Sequence, residues 1–393
     1  MCKKIPASIH LNMTLNNLLI LFSALLLISC ARNITTGSGT DDLVIYPSPP
    51  DTARIQFLTR ISSSHDVTGS HKSFSQFIMG KEEERFINKP YGVAVGKGKI
   101  YICDTYIHGL DVIDMDKSKF TQFIPGGKGE LKVPINCFVD ENGYLYIADS
   151  ERKQVIIFDE EGKYVACLGE ADNFRPTDVF VLDNKIWVSN LLGHQIVVYS
   201  NDSSHELLNA FPEVNKDNPQ SLFSPTNLFV TDTKVYVTDF GDFKIKSFSH
   251  AGEFVGAVGS YGQSIGQFSR PKGIAVDRDT NLFVVDAGFE NAQIFNKEGN
   301  LLMFFGGNYK GPGDMWLPAK VTLDYNNLKY FEKFVDPAYD LKYLVLVTNQ
   351  FGPDKLNIYG AVEPRKSPQT LGTKKAVSGK RKKRNSGKQG PLF

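Results

Sequence analysis

Six oxygen-bearing side chains occupy equivalent places in the chain, each at the end of a short apolar run. They are Asp104, Asp149, Asn190, Asp239, Asp286 and Asn349. Carboxylate and amide oxygens are the ligands that calcium prefers, so the six would form a calcium site if the runs converged. The same residue types also cap turns by accepting backbone N–H groups. Because all six runs share the feature, the capping interpretation is favoured.

Two histidines, His108 and His194, follow the first and third of these runs by four residues and could ligate zinc. The equivalent places after the second and fourth runs hold Lys153 and Phe243, so this position belongs to a general pattern and a structural role is favoured. The sequence contains no His-Glu-x-x-His motif and no phosphate-binding glycine loop. We therefore predict no catalytic residue, cofactor or metal, with bound calcium or zinc as the alternative.

The apolar runs belong to a repeat that begins at a proline. The six prolines are Pro90, Pro134, Pro176, Pro225, Pro271 and Pro318, with spacings of 44, 42, 49, 46 and 47 residues, a period typical of propeller blades. Each unit holds short runs rich in Val, Ile, Tyr and Phe between turn residues, which predict four β-strands. One such sheet cannot bury both its faces, so the units must stack in a closed ring. The prediction is an all-β, six-bladed β-propeller.

The second residue after each proline is Gly92, Asn136, Asp178, Asn227, Gly273 or Lys320. The first five are residue types that tolerate a positive φ, so we predict a tight turn that leads into the first strand. Lys320 does not fit this pattern.

The sixth unit has no fourth strand after Gly360, but Arg54–Ser62 (RIQFLTRIS) shows that strand's pattern. We predict that this N-terminal strand pairs with the sixth blade and closes the ring. The sixth unit also carries an insertion, LDYNNLKYFEKFVDPAYDLK, between its first two strands. The insertion should emerge opposite the loops between second and third strands, as a second contact site or as a plug against the channel.

The repeat from Pro90 to Gly360 resembles NHL repeats, on the pattern Pro-x-Gly-φ-Ala-Val-Asp, φ-Tyr-Val-Ala-Asp and φ-φ-Val-Phe-Asp, in which φ is an apolar residue. YPSPPDTARIQFL and MGKEEERFINKPYGVAV are similar to segments of bacterial NHL-type lipoproteins. This resemblance implies a place among envelope redox and assembly proteins. Lactonase-like enzymes and peptidyl amidating lyases are also six-bladed, which leaves a metal-dependent hydrolase or lyase at the channel mouth as the alternative function.

Residues 1–30 resemble a bacterial lipoprotein signal peptide. Lys3 and Lys4 precede an apolar run, Leu18–Ile28, that is too short to span a bilayer comfortably. The following Ser29-Cys30 resembles a lipobox, which implies that Cys30 carries a lipid anchor; the alternatives are an ordinary signal peptide and an uncleaved anchor. Ala31 in place of Asp favours the outer membrane, so we predict a cell-envelope lipoprotein.

The loops between second and third strands carry apolar side chains where a merely soluble propeller would use polar ones. We predict a protein-binding patch for an envelope partner. Its residues are Tyr106, Leu192, Phe240, Phe289 and Phe351. The alternative is that several of them fold between the blades and fill the core. Cys103, Cys137 and Cys167 lie in strand-like contexts and are predicted to be buried; a disulfide is not indicated.

Charge is divided unevenly along the chain. Residues 31–364 carry 32 Lys and Arg against 43 Asp and Glu, whereas residues 365–393 carry ten Lys and Arg and no acid. This tail is predicted to be disordered and to bind an anionic surface through Lys380, Arg381, Lys382, Lys383 and Arg384. The alternative is that it rests on its own acidic propeller. Base-stacking aromatic residues are missing, so nucleic acid is not predicted as a partner.

The predicted organisation is therefore a signal peptide (1–30), a linker (31–42), the propeller (43–364) and the basic tail (365–393). The predicted function is that of a monomeric, noncatalytic binding or scaffolding module of the envelope.

Overall fold

The computed structural model describes residues 43–69, 83–169, 172–215 and 217–365, and it shows a six-bladed β-propeller. Five blades are four-stranded antiparallel sheets, each built from consecutive strands. Blade 1 is β3 (Pro90–Gly96), β4 (Lys99–Asp104), β5 (Gly109–Asp114) and β6 (Lys119–Phe123); blade 2 is β7 (Pro134–Val139), β8 (Leu145–Asp149), β9 (Gln154–Phe158) and β10 (Tyr164–Leu168); blade 3 is β11 (Pro176–Leu182), β12 (Lys185–Asn190), β13 (Gln195–Ser200) and β14 (Leu207–Phe211); blade 4 is β15 (Pro225–Val230), β16 (Val235–Asp239), β17 (Lys244–Phe248) and β18 (Phe254–Val258); blade 5 is β19 (Pro271–Val276), β20 (Leu282–Asp286), β21 (Asn291–Phe295) and β22 (Leu301–Gly306). The prediction of the fold is confirmed.

Blade 6 combines the two ends of the propeller. Its strands are β23 (Pro318–Asp324), β24 (Tyr339–Asn349) and β25 (Leu356–Pro364), followed across the sheet by β2 (Ile55–Ile61) and the short β1 (Ile45–Tyr46). β2 pairs antiparallel with β25, with Ile55 opposite Ala361 and Ile61 opposite Leu356. The predicted closure by an N-terminal strand is therefore confirmed.

The remaining elements are short. They are α1 (Ser64–Thr68) and three 3-10 turns at Gly127–Gly129, Leu328–Tyr330 and Glu332–Phe334. No helix in the described part of the chain has the length and apolarity needed to cross a membrane.

The core is divided into six apolar clusters, each shared by two neighbouring blades. Between blades 3 and 4, for example, Trp187 and Ile196 pack with Leu228 and Phe248. The innermost strands also contact one another around the ring, and β23 contacts β3. Each blade thus covers an apolar face of the next blade. A single sheet could not bury both of its faces in this way.

All six first strands begin at the repeat prolines. The prediction of a tight turn at the second residue after each proline is wrong. None of the six residues there has a positive φ. Gly92 and Gly273 are required instead by close packing, because a Cβ at either would lie 2.5 Å from the Cα of the next blade's residue, Asn136 or Lys320. These positions belong to the strands that surround the axis.

The insertion of blade 6 connects β23 to β24 on the face opposite the loops between second and third strands. Its Phe331 is buried against apolar residues of blade 1, and the Tyr330 hydroxyl donates to the Asp116 carboxylate. Gln56 of β2 donates through Nε2 to the Phe334 carbonyl at 2.9 Å. The insertion therefore covers the seam between the last blade and the first, and it does not plug the channel.

Candidate functional site

The six residues at the ends of the second strands fix their own blades. Asp149 accepts hydrogen bonds from the backbone N–H groups of Lys132 (2.6 Å), Val133 (3.1 Å) and Arg152 (3.0 Å). Asp104, Asp239 and Asp286 make the same kind of contact, and all four carboxylates are fully buried. Each side chain ties the incoming connection to the turn that follows. These side chains therefore cap the turns, which is the role that the sequence favoured over calcium binding.

The two histidines also make structural contacts. His108 and His194 have φ values of 53° and 54°, and Lys153 and Phe243 share this left-handed conformation. The Nδ1–H of His194 donates to the Phe223 carbonyl at 2.6 Å, and that of His108 donates to the Lys132 carbonyl. Each ring thus bonds to the connection that leads into the next blade. Within residues 43–69, 83–169, 172–215 and 217–365, no three His, Cys, Asp or Glu side chains form a group that could hold a metal ion.

An ion pair crosses the axis of the propeller. The Lys320 ammonium of blade 6 contacts Asp178 Oδ2 of blade 3, the blade directly opposite, and both side chains are at least nine-tenths buried. Asp178 also accepts the backbone N–H groups of Leu228 (3.0 Å) and Val179 (3.0 Å). Since a buried charge needs an opposite charge and hydrogen bonds, these contacts explain how both ions are retained.

Further side chains of the innermost strands contact one another across the ring. At one level the Lys272 ammonium donates to the Tyr91 hydroxyl at 3.1 Å. At another, Phe180 lies between Phe138 and Phe229, with ring centroids 4.6 and 5.0 Å apart. The repeat anomaly at Lys320 was the one sequence signal of this arrangement. Together with the ion pair, these contacts place several of the protein's own side chains in the channel.

Blades 1 and 4 have different buried ionisable residues next to the aspartate that ends the second strand. In blade 4 the Lys246 ammonium lies 3.0 Å from Asp239 and donates to the Ser221 carbonyl at 2.6 Å. The equivalent position in blade 1 is Asp111, fully buried next to Asp104; its Oδ1 accepts from Gln122 Nε2, and its Oδ2 has no donor among the described residues. Burial raises the pKa of Asp111 to about 8, and the Asp104 carboxylate adds to the rise. Asp111 therefore keeps its proton at neutral pH and can donate it to Asp104.

The Asp111→Asn variant should remove a pH dependence of stability. Because the pKa of Asp111 rises from 3.8 to about 8 on folding, wild-type stability falls between pH 4 and pH 8, by up to about 1.4 kcal/mol per pH unit. Asn keeps the neutral hydrogen-bonding pattern. We expect Asp111→Asn to be more stable than wild type by about 4 kcal/mol at pH 8 and nearly equal at pH 4.5, as measured by urea unfolding. If the free energy of unfolding changed with pH in the same way in both proteins, the raised pKa of Asp111 would be refuted.

The predicted partner-binding residues lie on one face, which we call the loop face. It consists of the loops between second and third strands and the connections from each fourth strand to the next blade. Tyr106 is 69% exposed, Phe351 51% and Leu192 44%. Phe240 and Phe289 are only partly buried. Three of the five side chains are thus freely accessible, and the other two are partly buried.

The connections add exposed apolar residues to the loop face that sequence reasoning missed. These are Phe86, Ile124, Val214, Tyr261, Ile265 and Trp316. Trp316 stacks with Tyr309 at 6.0 Å, and Tyr261 contacts Phe243 at 4.7 Å. The turns of the opposite face expose fewer large apolar residues in the described part of the chain, namely Tyr144 and Phe334. The signal in the sequence was the apolar content of the connections, YGQSIGQF and NYKGPGDMW.

One connection on this face spells Gly-x-Ser-x-Gly, at Gly262–Gly266, a pattern that sequence reasoning also missed. In hydrolases this motif works at a sharp turn from a strand into a helix. Here it connects the two strands β18 and β19, and the Ser264 N–H donates to Gln267 Oε1 at 3.1 Å. The surroundings therefore differ from those of a nucleophilic serine.

The other predicted sites divide between described and undescribed parts of the chain. Cys103 and Cys137 are buried as predicted, Cys167 is partly exposed, and all three are free thiols. The lipid-attachment residue Cys30 and the basic cluster Lys380–Arg384 lie outside the described residues.

Comparison with known proteins shows the fold. No family model matches the chain, and no curated protein does. A protein of unknown function from Bacteroides thetaiotaomicron superposes with a TM-score of 0.54 at 14% identity, over 79% of this chain and 76% of that one. A gluconolactonase from Xanthomonas campestris gives a TM-score of 0.50 at 14% identity, over 84% and 99%. A virginiamycin B lyase from Staphylococcus aureus gives 0.49 at 14% identity, over 70% and 95%.

Proposed function

We propose that this protein is a noncatalytic binding module whose loop face takes a partner protein. The observation that carries the proposal is the concentration of exposed aromatic and aliphatic side chains on that face, from Tyr106 around the ring to Phe351. Exposed aromatic residues rimmed by polar ones are typical of protein interfaces. The Asp178–Lys320 ion pair across the axis supports the same function, since it takes up space in the channel that a ligand would need.

The shape of the loop face favours a protein over a small molecule. Its apolar residues are spread over connections from several blades, and the second-strand carboxylates that would give polar specificity are buried as caps. Small-molecule sites are concave, with a few convergent polar groups. A broad patch with separate aromatic anchors fits a folded partner better.

The location follows from the proposed lipid anchor. With Cys30 acylated, the propeller would lie outside the cytoplasm at an envelope membrane, and its partner would be another envelope protein. The resemblance to NHL-type lipoproteins supports this assignment through the Ser29-Cys30 site and the repeat pattern. Redox and assembly proteins of the envelope are the partner classes that this resemblance implies.

A metal-dependent hydrolase or lyase is the second candidate. The observation that favours it is a pair of buried amide oxygens, Asn136 Oδ1 and Asn227 Oδ1, which have no partner among the described residues and flank the blade of Asp178. Amide and carboxylate oxygens suit calcium. The ammonium of Lys320 already neutralises Asp178, however, so a metal would have to compete with a positive charge of the chain itself.

Site-specific photo-crosslinking in the intact envelope tests the binding function. A photoreactive phenylalanine analogue at Tyr106 or Phe351 should give the same protein adduct, because both positions lie on the proposed interface. The matched controls are Tyr144 and Phe334, which are also exposed but lie on the opposite face. Equal adducts from both faces, or none from Tyr106 and Phe351, would count against the proposal.

A further inference from the structure

A groove lies on the face opposite the loop face, where the described chain ends. It has a volume of about 320 Å³, and its lining includes Glu332, Asp336, Tyr339, Asp340, Leu341 and Arg365. Three of these residues are acidic, and Arg365 is the one basic residue of the lining. The groove is formed by the blade 6 insertion, the start of β24 and Arg365, which directly follows β25.

Arg365 is already bound in this groove. Its backbone N–H donates to the Ala338 carbonyl at 2.8 Å, and its Nε donates to Asp340 Oδ1 at 2.8 Å. Nη2 makes a further contact of 3.3 Å with the Tyr339 carbonyl. The chain therefore leaves the propeller from inside the groove, with its first basic residue paired to a groove carboxylate.

The charges of the groove and of the following segment are complementary. Glu332 and Asp336 make no ion pair within the described residues, and acidic turns extend across the same face at Asp140, Glu141 and Asp202. Residues 366–393 carry nine Lys and Arg and no Asp or Glu. The loop face carries exposed charges of both signs, among them Glu83, Lys128, Glu130 and Lys132. We call the face opposite the loop face the acidic face. Its charge is complementary to that of residues 366–393.

We propose that residues 366–393 bind the acidic face of their own propeller, beginning in the groove that holds Arg365. The fifteen residues from 366 to 380 span up to about 50 Å when extended, so the Lys380–Arg384 cluster can reach acidic turns well beyond the groove. A linked segment has an effective concentration of about 1 mM, so even contacts with a dissociation constant of about 100 µM would keep it bound most of the time. The loop face stays uncovered, which makes this interaction independent of the proposed partner.

Zero-length carbodiimide crosslinking of the full mature chain, read by mass spectrometry, tests the proposal. We expect amide crosslinks from lysines of residues 366–393 to Glu332 and Asp336 at 50 mM salt, and at least a five-fold loss at 500 mM salt because screening weakens exposed ion pairs. Charge reversal by Glu332→Lys and Asp336→Lys removes these two crosslinked carboxylates, so the variant is read at the remaining carboxylates of that face, Asp140, Glu141 and Asp202, where the yield of tail crosslinks should fall at least five-fold. The control is Glu83→Lys with Glu130→Lys, which changes the loop face equally.

Two results would overturn the proposal. One is an equal distribution of tail crosslinks over both faces that the groove variant leaves unchanged. The other is loss of the crosslinks when phosphatidylglycerol vesicles are added but not when phosphatidylcholine vesicles are, because an anionic membrane would then be the preferred ligand. Crosslinks that persist with both kinds of vesicle would support the intramolecular contact.

Discussion

Removing residues 43–62 is expected to abolish the cooperative unfolding transition or to lower its midpoint by more than about 10 °C. β2 contributes Ile55, Leu58 and Ile61 to the apolar clusters on both sides of blade 6, and it supplies the edge that pairs with β25. Loss of one buried Leu or Ile costs about 2–5 kcal/mol. Three such losses approach the total stability of an ordinary domain, about 5–15 kcal/mol. Circular dichroism during heating measures the effect.

Two matched chains separate ring closure from simple shortening. A chain that ends at Arg365 loses more residues than the deletion but no strand, so its midpoint should fall by no more than a few °C, the stabilisation that a weakly bound tail supplies. A permuted chain that carries residues 43–62 behind Pro364 through a short linker should fold, because β2 would still pair with β25. A deletion of residues 43–62 that melts like the full chain would show that β2 does not close the ring.

Lys320→Ala is expected to lower the free energy of unfolding by about 3–5 kcal/mol, because it leaves Asp178 buried without its opposite charge. The companion variant Asp178→Asn with Lys320→Met removes both charges and should recover most of the loss. Urea unfolding at pH 7 measures the difference, with the slope of the transition used to check that the folded state is unchanged.

Lys272→Ala is the control for the axial pair. Lys272 also lies in the channel, but it is only partly buried and contacts the neutral Tyr91 hydroxyl, so we expect a loss below about 1 kcal/mol. If Lys320→Ala and Lys272→Ala had the same effect, the Asp178–Lys320 pair would not stabilise the ring as described.

The sequence was sufficient for the fold because the signals of the fold are local. Each first strand begins at its repeat proline, where no ladder hydrogen bond is needed, and the apolar runs coincide with the strands. The N-terminal strand could be assigned because the sixth repeat lacked one strand and Arg54–Ser62 had the missing pattern. These inferences depend on order along the chain, which the repeat makes visible.

The channel could not be predicted because its contacts join distant repeats. Asp178 and Lys320 are 142 residues apart and meet only across the closed ring. Lys320 stood out as an exception to its repeat, but a repeat comparison does not show which blade lies opposite. The same limit applies to Asp111. The repeat pattern does not show that its side chain lies buried next to Asp104, at the position that Lys246 occupies in blade 4.

The loop face was predicted in part. Tyr106, Leu192 and Phe351 are exposed on loops between strands, whose ends the repeat fixes. Phe240 is partly buried beside Phe243, which packs against Tyr261 of the next connection. The conformation of these connections depends on contacts between blades, so neither their exposed residues nor this packing followed from the repeat pattern.

The affinity of the loop face for the protein identified by crosslinking is the most direct test of the binding function. The measurement is a calorimetric titration of the purified partner with two variants. The loop-face variant carries Tyr106→Ser, Leu192→Ser and Phe351→Ser together, and the control variant carries Tyr144→Ser and Phe334→Ser together. Truncating apolar anchors at an interface costs about 1–2 kcal/mol each, so the loop-face variant should bind at least about 100-fold more weakly, and the control should bind within about two-fold of wild type. Equal affinity of the two variants for the partner would contradict a loop-face binding site.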